Sequence, residues 1–91
     1  MLIRSQNKEM IVNVDTANHI FVGEAYRSNG SLYDVCADEM RLGYYSTKAK
    51  AMKVLDMIQK RYEECETERI YKEGVFKIGT FQMPEDNEVV A

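Results

Sequence analysis

The clearest chemical potential in this chain lies in three lysines, Lys48, Lys50 and Lys53, at the start of the one segment with sustained helical periodicity. Cations at a helix N-terminus oppose the macrodipole, at a cost of about 0.3–1 kcal/mol each when exposed. The first turn carries no acid to offset them. These lysines form a candidate basic patch able to receive phosphate or an acidic surface; the competing reading is a solvated face neighbouring Asp38 and Glu39. A second set, Phe76, Ile78, Phe81 and Met83, lies late in the chain with few evident partners of its own. A strand of that kind, left at a sheet edge, can pair with a second copy or an extended peptide. It is the candidate oligomer contact.

Other constellations carry less. The single histidine, His19, has no Cys or Asp at ligand or triad spacing, so a structural or surface role is expected of it. Asp34, Asp38 and Glu39 lie close together but lack the glycine and oxygen-ligand spacing of a calcium loop, and they read as a solvated hairpin end. The two cysteines, Cys36 and Cys65, form no CxxC motif and read as buried free thiols. Six tyrosines and three phenylalanines form no aromatic motif interleaved with Lys or Arg, which assigns most of them to the core or its rim. The chain has no G-x-S-x-G elbow, P-loop or G-x-G-x-x-G turn. A non-catalytic role without cofactor or metal is the expectation.

Composition sets the frame for these residues. Ninety-one residues suit one domain, and 45% hydrophobic with 30% charged residues is ordinary for a globular fold. A net charge of −3 argues against sequence-blind affinity for nucleic acid or anionic membrane, while leaving room for a local basic patch. No signal-peptide pattern and no bilayer-length apolar run is visible, so a cytoplasmic protein is expected.

The elements that must position the candidate residues follow from periodicity. Ala51, Val54, Leu55, Ile58, Tyr62 and Cys65 recur in steps of three and four, which predicts an amphipathic helix over 46–64 with Ser46 or Thr47 as N-cap. Before it, 2–5 and 10–14 read as a hairpin, with Met10, Val12 and Val14 inward, Asn13 outward and Ile11 undecided. Residues 15–18 are a turn or one short helical turn. The strand 19–25 has apolar groups on both faces, a pattern suited to a central strand or an oligomer contact. Asn29-Gly30 predicts a tight turn returning 32–37 antiparallel to it, and 40–44 follows as a further strand. A late strand over 75–83, with a bulge at Gly79, ends at Pro84. The expected fold is α+β: an antiparallel meander of four or five strands, one helix packed on one face, and a C-terminal edge strand or arm. Residues 1–83 form this domain, and 84–91 read as a disordered acidic tail.

Taken together, several short motifs resemble a group of small proteins of unassigned function from Gram-positive bacteria, often encoded in phages or other mobile elements. They are Ile3-Arg4-Ser5-Gln6 with Lys8, Val12-Asn13-Val14-Asp15 and Leu42-Gly43-Tyr44-Tyr45-Ser46-Thr47. On the helix they continue with Ala51, Val54-Leu55-Asp56 and Ile58-Gln59, and near the end with Phe81-Gln82-Met83-Pro84. Such proteins tend to carry an acid near the helix start, where this chain has Ala49 and Lys50. The resemblance implies no activity, cofactor or catalytic residue. The expected function is a protein-interaction or accessory module with an unidentified protein partner or a second copy of itself. The alternative is a nucleic-acid-associated factor using Lys48, Lys50 and Lys53.

Overall fold

A computed structural model describes the backbone of residues 1–27, 30–71 and 79–91 and, within these, every side chain except those of 26, 27, 31 and 66–71. Its elements are β1 (Leu2–Arg4), β2 (Ile11–Asn13), a 3-10 turn (Val14–Thr16), β3 (Ile20–Arg27), β4 (Gly30–Ala37), β5 (Met40–Tyr45), α1 (Lys48–Tyr71), β6 (Thr80–Gln82) and a second 3-10 turn (Asp86–Glu88). The α+β expectation holds, with one helix against antiparallel strands. The strands divide, however, into two three-stranded sheets, β3-β4-β5 and β2-β1-β6. The first is an antiparallel meander. In the second, β1 pairs antiparallel with β2 and parallel with β6, whose residues lie almost the full chain length away.

Each sheet is built from the patterns noted above. Val12 packs inward while Ile11 and Asn13 are exposed, and the residues between β2 and β3 form the short helical turn rather than a plain one. β3 and β4 pair without a break from Ile20↔Ala37 to Arg27↔Gly30. Gly30, at φ 128°, is thus the first residue of β4 opposite Arg27, not a central residue of a turn that would pair Ser28 with Ser31. β4, not β3, is the central strand. Val35 and Ala37 on its inner face and Asp34 and Cys36 on its outer face are all buried. The cause is simple: the apolar residues on the second face of β3 reflect an outer face that leaves Phe21 exposed, and among the described residues β4 alone flanks the strand.

The core lies between α1, the inner face of β3-β4-β5 and the smaller sheet. Ala51, Val54 and Ile58 enter it from the helix, and Ile3, Val35, Leu42, Tyr45 and Met83 from the strands. Leu42 and Tyr45 both face inward despite their odd spacing. The pairing steps from Val35↔Gly43 to Cys36↔Arg41, which leaves Leu42 as the extra residue of a bulge and reverses the alternation. α1 runs seven residues past its expected end at Glu64. Residues 84–91 depart from the expected disordered tail: they form the second 3-10 turn and bury Val89 in the core at 5% exposure. Among the described residues no helix is long and apolar enough to cross a membrane.

Candidate functional site

At the helix start, Thr47 is the N-cap: its Oγ1 accepts from the Lys50 amide at 3.1 Å and its carbonyl from Ala51 at 3.2 Å. Ser46 is occupied differently. Its amide donates to Asp86 Oδ1 at 2.7 Å, and its hydroxyl lies 3.0 Å from the same carboxylate. Lys50 Nζ completes the cluster, 3.3 Å from Asp86 Oδ2 and 3.0 Å from the Asp86 carbonyl. The acid missing from the first turn is therefore supplied by the C-terminal segment. The Ser46 backbone bond, with its hydroxyl and Lys50, holds the Asp86 carboxyl below the usual carboxylate range.

This arrangement divides the predicted basic patch. Lys50 is a half-buried ion-pair partner, while Lys48 and Lys53 stay exposed. At about 100° per residue, Lys48 projects roughly 160° away from Lys50 and 140° from Lys53, so the three do not converge on one ligand. Of the candidate oligomer residues, Phe76 and Ile78 lie outside the described residues. Met83 is 1% exposed in the chain's own core, and half-buried Phe81 packs against that core from β6. Neither forms an open apolar patch.

The outer face of β3-β4-β5 holds a cluster the sequence reading left unassembled. Asp34 is not a solvated hairpin residue; it is buried, with Oδ2 3.2 Å from Arg41 Nε. Gly23, directly opposite on β3, makes this geometry available, because a Cβ there would overlap the Asp34 carboxylate. Arg41 also donates to the Tyr44 hydroxyl at 3.0 Å and lies over its ring. Cys36 sits beneath, its thiol pushed up to about 11 by burial and then by the neighbouring Asp34 charge. Such a thiol stays protonated. In the folded chain Cys36 should resist alkylation at about pH 8 and label only on unfolding; labelling at the rate of a free thiol contradicts this. Asp38 is not part of the cluster, so the three acids are not brought together. Among the described residues no group of His, Cys, Asp and Glu side chains can hold a metal.

Asp38 instead partners His19. It sits at φ 52° in the β4–β5 turn and accepts from the Asn18 and His19 amides at 3.2 Å, with His19 Nδ1 3.4 Å away. The continuous pairing that ends at Arg27↔Gly30 carries the register to His19 opposite Asp38. A turn centred on Asn29-Gly30 would have set His19 opposite Met40, so the sequence did not point to this pair. The imidazole is exposed and tilts against Phe21, with ring centres 5.1 Å apart. The segment 15–19 separates two clefts. One, about 530 Å³, lies between this segment and α1, with Val14, Ile20, Leu55 and Ile58 as its apolar floor. The other, about 520 Å³, runs beneath Val12, Ala37 and the exposed Met40. Apolar floors with polar rims suit recognition of a side chain or extended segment.

The two edges of the β3-β4-β5 sheet are treated differently. At β5, the Gln6 amide donates to the Leu42 carbonyl at 2.8 Å, its Oε1 accepts from Tyr44 N at 2.9 Å, and its Nε2 donates to Tyr44 O at 3.1 Å. One residue thus pairs both outward groups of Tyr44. At β3, among the described residues, no backbone bond is made from Ile20–Arg27 beyond those to β4. The open edge begins beside the 530 Å³ cleft, since Ile20 belongs to both. No family model, curated protein or solved structure matches the chain.

Proposed function

We propose that this chain is a non-catalytic protein-interaction module that acts through the open β3 edge and the apolar-floored cleft beside it. What supports the reading is the contrast between the two edges of one sheet. β5 is closed by Gln6, whereas among the described residues nothing pairs the outward backbone groups of β3, which lie next to exposed Phe21 and His19. Backbone pairing supplies affinity in such contacts, and neighbouring side-chain pockets supply selectivity. The setting implied by the sequence resemblance, an accessory protein of a phage or mobile element, belongs to the same proposal.

A photo-crosslinking residue placed at Phe21 or His19 should trap a discrete protein adduct, while the same residue at exposed Lys60 or Glu63 on α1 should not. Adducts with no dependence on position contradict the reading. Binding to nucleic acid that falls steeply with salt and depends on Lys48 and Lys53 would replace it with the nucleic-acid alternative.

A further inference from the structure

Apart from the charges of Glu24 and Arg27, β3 lacks the devices that keep sheet edges from pairing. It is eight residues long and continuously paired to β4, with no register shift. It contains no proline and no lysine, the residue most often used to blunt an edge. Its outer face carries Phe21 at 38% exposure. We propose that this edge pairs with β3 of a second copy of the chain, antiparallel about a two-fold axis at Gly23, joining the two three-stranded sheets into one continuous sheet. The proposal rests on the reading of the chain as an interaction module and names its partner.

The register follows from geometry. In an antiparallel pair within one sheet, directly opposite residues share a face, so a symmetric pairing must be centred on a residue rather than between two. Centring on Glu24 sets Glu24 against Glu24, a destabilising like-charge pair. Centring on Val22 shortens the paired stretch to 20–24, because β3 begins at Ile20. Centring on Gly23 pairs Ile20 through Tyr26 with the same stretch reversed. Phe21 then falls opposite Ala25, a large side chain beside a small one, and Val22 opposite Glu24, with no like charges facing. The two Asp34 carboxylates, each leaning over its own Gly23, flank the seam but are each neutralised by Arg41. β5 cannot serve in the same way, because Gln6 already occupies it.

Light scattering across a concentration series tests this. The full chain should rise from 10.6 kDa toward twice that mass. Phe21→Lys with Ala25→Lys sets lysine against lysine at both ends of the seam and should hold the chain monomeric while circular dichroism stays native. Phe21→Glu with Ala25→Glu should do the same. Mixing the two variants should restore a dimer, since residue 21 of one copy faces residue 25 of the other only in this register. The wild-type series needs no variant, so an unfolded variant does not remove the test. A wild-type chain monomeric throughout overturns the proposal. So does a lysine variant that still dimerises, or a mixture that associates no better than its components. If the wild type is monomeric but the crosslinker at Phe21 traps a different protein, the module reading stands and the second copy is wrong. If neither occurs, both fall.

Discussion

Gln6→Ala should lower the unfolding free energy by about 2–3 kcal/mol, because it strips partners from backbone groups that water does not freely reach. The lost contacts are those of Oε1 with Tyr44 N and of Nε2 with the carbonyls of Tyr44 and Pro84, the last at 3.1 Å. For a domain of this size the loss corresponds to roughly 10–20 °C in Tm. In urea it should appear as a lower midpoint with unchanged slope. Gln6→Glu is nearly isosteric yet should cost at least as much, since a carboxylate cannot donate to the two carbonyls. Gln59→Ala, on the exposed side of α1, is the control and should change stability by less than about 0.5 kcal/mol. If Gln6→Ala behaves like the control, the closure of the β5 edge by this side chain is wrong.

The second large effect belongs to the C-terminal segment. Removing residues 85–91 should cost about 2–4 kcal/mol. Val89, at 5% exposure, accounts for the larger share through lost apolar burial, and the Asp86 contacts with Ser46 and Lys50 for the rest. Asp86→Asn isolates the electrostatic share, which is the smaller because the side chain is 40% exposed. Its pH dependence has a definite sign. Folding lowers the carboxyl from its ordinary value of 3.8, so the folded state binds its proton less readily than the unfolded chain. The resulting stability is complete above the ordinary value and is lost as pH falls through the lower folded value. Wild type and Asp86→Asn should therefore converge in acid and separate toward neutrality. A constant difference across that range contradicts the assignment.

Local periodicity made part of this architecture legible. The stripe of Ala51, Val54 and Ile58 identified the buried face of α1, and a hydroxyl before Lys48 identified its cap. Asn29-Gly30 marked the hairpin but not its register: the pairing ends at Arg27↔Gly30, and the His19–Asp38 pair follows from that observed register. What stayed hidden depends on contacts between distant segments. Three-residue strands such as β1 and β6 show too few residues for a period, so their parallel pairing left no pattern. The Leu42 bulge reversed an alternation that reads as regular, and Tyr45 became core as a result. Gln6 reads as part of a polar turn, but its position opposite β5 makes it a strand substitute. The acid that answers the helix lysines lies 40 residues from Ser46 in a stretch whose composition suggests fraying. That no described residue other than those of β4 pairs with β3 was likewise invisible: a strand apolar on both faces looks the same in sequence whether a neighbour covers its edge or not.

Hydrogen exchange resolved to single amides across the β3-β4-β5 sheet, measured from dilute to concentrated protein, tests the open-edge account most directly. The expected result is fast exchange of the outward amides of 20–26 at low concentration, slow exchange at Tyr44 throughout, and progressive protection of 20–26 as concentration rises. Uniform slow exchange in β3 at every dilution, or fast exchange unchanged at the highest concentration, would contradict it.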